Sequence, residues 1–211
     1  MDAEKSVAKQ TATPQSKKPE GLAASVYDYV EIFVFTVLFV ILVLMCACRL
    51  CEVSGPSMNN TLLNGEKMLV SDLFYTPDTG DIIVFHQTSE VYDQFNEPIV
   101  KRVIATEGEF VKIDFKAGTV YVSKDETFTA EEVLDETDYA LFANPDGVWK
   151  ESFYQDEIIY EVPEGHLFVM GDNRNISADS RSQYVGFVDE RCVLGKVLMR
   201  IMPFNKLGKV N

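Results

Sequence analysis

Ser57 and Lys101 are the two residues of this 211-residue chain whose settings fit a shared chemistry. Ser57 lies in Val53-Ser54-Gly55-Pro56-Ser57-Met58, just past an apolar stretch of membrane length. Glycine and proline let the backbone turn sharply and present a hydroxyl at the lip of a site. Most serines in such a setting are structural, so Ser57 alone decides nothing. Lys101 sits in Ile99-Val100-Lys101-Arg102-Val103-Ile104. A free lysine has a pKa of about 10.4, and burial among apolar neighbours lowers it by disfavouring the charged form. Strict alternation along a strand puts Ile99 and Val103 on the face of Lys101, which favours burial over the ordinary solvent-facing lysine. A neutral amine beside a serine hydroxyl is a working variant of serine activation. The chain has two histidines, His86 and His166. A Ser-His enzyme using His166 is the rival base assignment. Neither histidine is spaced as a metal ligand, and no cofactor is expected.

The elements that must hold these residues begin with a membrane segment. Ile32 to Cys48 carries no charge and only Thr36 as a polar break. Extended to Tyr29 and Leu50, it reaches roughly 31 Å at ~1.5 Å per residue, enough for a hydrocarbon core of about 30 Å. A cleaved signal peptide has a shorter apolar core and a shorter leader, so an uncleaved span is the better reading. Lys5, Lys9, Lys17 and Lys18 precede it and only Arg49 follows closely. Positive charge stays on the cytoplasmic side, so residues 1–28 are expected as a disordered cytoplasmic tail, 29–50 as the span, and the rest as exported. Cys46, Cys48 and Cys51 cluster in or beside the span and leave Cys192 alone. The exported part therefore has no disulfide framework and depends on its core.

Short β-type runs dominate after the span: Lys67–Val70, Asp81–Phe85, Val100–Ala105, Phe110–Phe115, Gly118–Val122, His166–Met170 and Gly195–Ile201. Their β-branched residues and flanking turn residues are strand signals. Thr129–Thr137 reads as a short acidic helix. The expected fold is mostly β: a compact, barrel-like catalytic domain of residues 51–106 and 165–204, with a β-rich acidic insertion at 107–164 and a C-terminal tail at 205–211. The net charge is −14, and Glu107–Glu164 holds 16 acidic and 4 basic residues. Such a segment repels nucleic acid and anionic head groups. Its simplest reading is a solvated face.

One further segment stands out, Gly171-Asp172-Asn173-Arg174-Asn175-Ile176-Ser177-Ala178-Asp179-Ser180-Arg181. A loop this polar is either a turn closed by its own hydrogen bonds or a shell that orients a buried amine. With it, four ordered boxes resemble the type I signal peptidases, membrane-bound Ser/Lys endopeptidases. Ser54–Leu62 resembles the nucleophile box, Thr79–Phe85 the strand box, Lys101–Ile104 the lysine box, and Gly171–Arg181 with Val185–Val188 the last box. The resemblance implies Ser57 as nucleophile and Lys101 as general base. It also implies Ser177 as a hydrogen-bond partner of the amine, with Asp179, Arg181 and Arg102 as a supporting charge network. The Ser57 N–H would hold the oxyanion. Substrates would be exported preproteins with small residues at −1 and −3, read by shallow pockets lined by Val53, Met58, Leu62, Ile99 and Val100. Those five residues also suit an ordinary core.

Departures from the family pattern bear on loop shape. Gly55 stands where some members have a second oxyanion donor, Asn60 where proline is usual, Thr79 where arginine is common, and Ala105-Thr106-Glu107-Gly108 where Gly-Leu-Pro-Gly is common. They leave open a pathway-dedicated relative that processes or chaperones a few surface subunits. An inactive assembly factor would be expected to lack Ser57 or Lys101. A self-cleaving repressor-type protease would be expected to carry a DNA-binding region in place of the span.

Overall fold

The computed structural model describes residues 21–86, 98–129, 132–141 and 157–210. The disordered cytoplasmic tail expected for residues 1–28 falls mostly outside them. The chain forms two units, residues 1–44 and 45–211. Helix α1 (Leu22–Ala47) contains Ser25–Val43, a stretch of mean hydropathy 2.2 that is long and apolar enough to cross a membrane. The Thr36 hydroxyl donates to Ile32 O at 2.7 Å, so the one polar break is satisfied inside the helix, as a lipid environment demands.

Among the described residues ten strands follow: β1 (Arg49–Glu52), β2 (Lys67–Ser71), β3 (Ile82–His86), β4 (Pro98–Ala105), β5 (Phe110–Asp114), β6 (Thr119–Ser123), β7 (Glu157–Glu161), β8 (His166–Met170), β9 (Val188–Asp189) and β10 (Val193–Met202). They form a seven-stranded sheet in the order β1-β2-β10-β3-β4-β8-β9 and a three-stranded sheet in the order β6-β5-β7. The strand that comes last in the chain therefore lies inside the large sheet, paired with β2 on one side and β3 on the other.

The apolar run Ile82-Ile83-Val84-Phe85 is buried on both faces, the reading its lack of alternation supports. Ile82 and Val84 join Val53, Met58, Leu62, Met68 and Val70 in one core cluster. Ile83 and Phe85 join Val103, Leu167, Val169, Val185 and Val188 in another. A third core unites the small sheet (Val111, Ile113, Val120) with Ile104, Ala105, Phe168 and Met170 of the large one. A register shift between Val103 and Ala105 in the β4–β8 pairing lies where β4 passes from the second core to the third.

The expected barrel-like closure is corrected by this topology, because both sheets are open. The large sheet ends at β1, four residues long, and β9, only two. These edge strands do not pair with each other. Closing a barrel requires first and last strands long enough to meet at a fixed stagger. Alternation along each strand carries no information about that meeting. The helix expected at 129–137 is cut short where it is described: Glu132 lies in a 3₁₀ turn, its N–H donating to Thr129 O at 3.2 Å and its carboxylate capping the Thr129 N–H. The chain then leaves the helical path, Val133 pairing with Tyr121 and Asp135 Oδ1 taking the Thr137 N–H.

Phe168 is fully buried where the two sheets share their core, 4.8 Å from the Tyr160 ring and 6.1 Å from Phe187 between centroids. Truncating Phe168 to alanine is expected to cost about 3–5 kcal/mol. Chemical denaturation should report the loss, and amide exchange should speed up most in β5–β7.

Candidate active site

Three segments distant in sequence meet at Ser57: the turn that carries it, β4 and the loop after β8. The turn that carries it is anchored from below by Met58 and Leu62, both fully buried, with Leu62 N–H donating to Met58 O at 2.8 Å. Its entry is fixed by Gly55, whose φ of +87° is accessible to glycine, and whose N–H donates to Asn64 Oδ1 at 2.8 Å. Asn60, at the position where the resemblance expects proline, has φ +74°. Asparagine tolerates that left-handed conformation, whereas a proline ring is locked near −65°. The departure in sequence is therefore a departure in backbone.

Lys101 reaches this turn from the middle of β4. Its register partner on β3 is Ile83, and Ile99 and Val103, at the same parity, pack in the Ile83 cluster. The amine donates to Ser57 Oγ at 3.0 Å and to Val100 O at 3.0 Å. Lys101 is 3% exposed. Burial pulls its pKa from 10.5 down to about 8; Asp179 and Asp172 oppose the shift, and Arg181 adds to it. The amine is thus held where losing its proton is easy. No histidine shares the hydroxyl: His166 Nδ1 lies 2.8 Å from Glu164 O.

The polar loop between β8 and β9 closes over the pair. Asn173 N–H donates to Ser57 O at 2.9 Å, and its side-chain amide donates to Pro56 O at 3.2 Å. Ser180 turns the loop back onto β8 by exchanging bonds with Val169. Asp179 is fully buried. Its Oδ1 accepts from Arg181 Nε at 2.8 Å, and its Oδ2 accepts from Arg181 Nη2 at 2.9 Å and Gly171 N–H at 3.0 Å. Burial alone would raise this carboxyl's pKa. Arg181, the Gly171 N–H and the neighbouring Ser177 hydroxyl outweigh that and hold it below the ordinary carboxylate range.

The four support residues separate into two groups. Ser177, Asp179 and Arg181 converge behind the lysine. Arg102 instead forms its own buried fork with Asp172, Nε to Oδ1 at 2.9 Å and Nη2 to Oδ2 at 2.8 Å, and its Nη1 donates to Gly80 O at 2.9 Å. Asp172 also accepts from the Thr61 hydroxyl, in the turn that carries Ser57. The Ser177 side chain is buried beside Asp179, but the two hydrogen bonds of the Lys101 amine go to Ser57 and Val100. Gly171 explains how Ser177 and the turn come so close. A Cβ there would lie 2.2 Å from Ser177 Oγ and 2.6 Å from Ser57 O.

Of the five expected pocket residues, Val53, Met58 and Leu62 are core and Val100 packs at the edge of the same cluster. Ile99 belongs to the other face of the sheet. Sequence reasoning missed Asp172 as the partner of Arg102 and Thr61 as a donor to Asp172, and it missed Glu136, Tyr139 and Leu141 of the acidic segment. Leu141 N–H donates to Asp172 O at 2.7 Å, and Arg174 N–H donates to Leu141 O at 3.1 Å. The Tyr139-Ala140-Leu141 break in an acidic run was the available signal. Among the described residues, no group of His, Cys, Asp and Glu converges as metal ligands.

Comparisons with known proteins agree on one family. The profile described as "Signal peptidase, peptidase S26" matches residues 26–202. A probable signal peptidase I-1 of Synechocystis is 32% identical over 165 residues, covering 75% of this chain and 73% of its own. Signal peptidase IB of Staphylococcus aureus is 30% identical over 167 residues, covering 73% and 78%. A signal peptidase I structure from Enterococcus faecalis covers 58% of this chain and 97% of its own, with 29% identity and a TM-score of 0.40.

Two substitutions probe the turn and the loop separately. Asn60→Pro is expected to lower stability by about 1–3 kcal/mol through the forbidden φ, read as a fall in the unfolding midpoint. Gly171→Ala should leave the fold in place, with unchanged far-ultraviolet dichroism, while greatly slowing acylation of Ser57 by a serine-directed reagent.

Proposed function

The chain belongs to the S26 signal peptidase family, and we propose that it removes N-terminal signal peptides from exported preproteins through a Ser57/Lys101 dyad and an acyl-enzyme. The observation that carries this reading is the 3.0 Å approach of a buried, low-pKa amine to the Ser57 hydroxyl. With Lys101 neutral, its lone pair takes the Ser57 proton as Oγ attacks the scissile carbonyl carbon. The oxyanion that forms is received by the Ser57 N–H, which is engaged by no acceptor among the described residues. Gly55 N–H is occupied by Asn64, so we assign it no part in that hole. Donors aimed at developing charge supply a large share of such rate enhancements.

Collapse breaks the C–N bond. The Lys101 ammonium hands its proton to the departing amine, the new N-terminus of the mature protein, and the signal peptide remains esterified to Ser57. Water then attacks the ester and gives its proton to Lys101; on collapse the C–O bond to Ser57 breaks, and the Lys101 ammonium returns that proton to the Ser57 oxygen, restoring hydroxyl and neutral amine. In this scheme Asp179 and Arg181, with Ser177, fix where the amine points, and the Arg102–Asp172 fork holds β4 against the nucleophile turn.

We assign residues 51–106 and 165–204 to the catalytic core. Preproteins with small residues at −1 and −3 are the substrates, with half-buried Val100, on the Met58 face of the sheet, offering an apolar wall, while Ile99 faces the other way. Val53, Met58 and Leu62 form the layer beneath. One N-terminal helix able to cross a membrane supports a single-pass protein. The lysines before it and the lone Arg49 just after it favour a cytoplasmic N-terminus. Holding the site at the bilayer surface raises its effective concentration for preproteins emerging there.

The test is cleavage of a preprotein carrying an Ala-X-Ala site by the full chain in detergent. Ser57→Ala and Lys101→Ala should each abolish turnover. Cleavage surviving in Lys101→Ala would sink the dyad, and none by the folded wild type would sink the general peptidase reading. Since the base works deprotonated, kcat/KM should rise with pH through about 8 and level off above it. The stability linkage has the matching sign. A lysine whose pKa is depressed by folding costs most while both states are protonated, so stability should rise with pH between about 8 and 10.5.

A further inference from the structure

We propose that Glu136 and Tyr139, in the acidic segment, are positioning residues that hold the Gly171–Arg181 loop in register with Ser57 and Lys101. The proposal rests on the Ser/Lys reading of the site and concerns a part of the chain otherwise read as a solvated acidic face.

The chain of contacts is continuous. Glu136 is 9% exposed and grips Arg174, itself 1% exposed, through both guanidinium Nη atoms. Arg174 Nε donates to Gly171 O at 3.1 Å, fixing the residue whose missing Cβ lets Ser177 and the Ser57 carbonyl approach. The Arg174 carbonyl accepts from Arg181 Nη2 at 2.8 Å, and Arg181 in turn grips Asp179. Tyr139 lies under the Arg102 guanidinium, 4.0 Å from ring centroid to Cζ, and 5.8 Å from that of Arg174. It therefore abuts two of the three buried arginine–carboxylate pairs described, Arg102–Asp172 and Arg174–Glu136. Leu141 completes the strap by exchanging backbone bonds with Asp172 and Arg174.

A buried ion pair is a poor source of net stability, because desolvation offsets the attraction. Its better-attested use is fixing one arrangement among several. Here that arrangement is the loop that carries Ser177 and Asp179. Breaking Glu136 away leaves the Arg174 guanidinium without this carboxylate, in the loop that also bears Asp172, Asp179 and Arg181, the charged groups that set the Lys101 amine.

The experiment compares Glu136→Gln, Glu136→Asp, Tyr139→Leu and Tyr139→Phe in the full-length protein in detergent. Two readouts are taken per folded molecule: kcat and KM on the preprotein, and the titration of Lys101 by pH-dependent acetic anhydride labelling followed by mass spectrometry. The second readout works whether or not the protein cleaves preproteins, so failure of the peptidase reading and failure of this one are distinguishable. Glu136→Gln and Tyr139→Leu are expected to lower kcat about tenfold or more, with KM changed much less, as sub-ångström misplacement does. Removal of the Glu136 anion should also move the Lys101 midpoint downward. Glu136→Asp and Tyr139→Phe, which keep the carboxylate and the ring, should recover much of the rate. If Glu136→Gln fails to fold, the Tyr139 pair decides. Turnover within twofold of wild type and an unmoved Lys101 titration in the folded variants would overturn the proposal.

Discussion

Everything at this site depends on keeping one amine dry. Lys101 is useful only while water and counter-charges are kept from restoring its ordinary basicity, and it is 3% exposed because every approach is filled. β3 and β8 flank β4 in the sheet, the nucleophile turn caps the amine, and the polar loop closes behind it. The two nearby carboxylates would undo that work if their charge were free. Each is instead locked to an arginine, Asp179 to Arg181 and Asp172 to Arg102. The forks let the loop be polar enough to orient the amine while adding little net negative charge to favour the ammonium.

This arrangement explains why the loop is so dense in hydrogen-bonding side chains. A buried donor or acceptor left unmade is expensive, so each carbonyl exposed by the sharp nucleophile turn needs a donor. Asn173 supplies two, one from its backbone and one from its side chain. The glycine at 171 is a packing requirement, since its own φ is ordinary and the Ser177 and Ser57 atoms leave no room for a side chain.

Much of this was legible in the sequence. Strands β2, β3, β4, β5, β6, β8 and β10 follow from β-branched runs, and the parity of Ile99, Lys101 and Val103 placed the lysine inward. Strands β1 and β9 were too short to give a pattern. β7, Glu-Ile-Ile-Tyr-Glu, was hidden among acidic residues. Sheet closure was misjudged because pairing of the outermost strands depends on contacts that no local run encodes. At the site, Asp179 and Arg181 are two residues apart and easily paired by eye. Arg102 and Asp172 are 70 apart, and Arg174 and Glu136 are 38 apart; such pairs leave no trace in spacing. The acidic segment's charge obscured Glu136, the one buried carboxylate among its described residues.

The position of β10 has a temporal consequence. Strands β2 and β3 are not paired with each other; residues 193–202 lie between them. Ser57 belongs to the flank built on β1 and β2, whereas Lys101 and the loop that orients it belong to the flank built on β3, β4 and β8. A chain made from its N-terminus carries Ser57 and Lys101 long before it holds the strand that joins the two flanks. Such long-range pairing is also the slow kind. The proposed dyad therefore depends on a strand made last, since only residues 193–202 tie the sheet flank beneath Ser57 to the flank that carries Lys101.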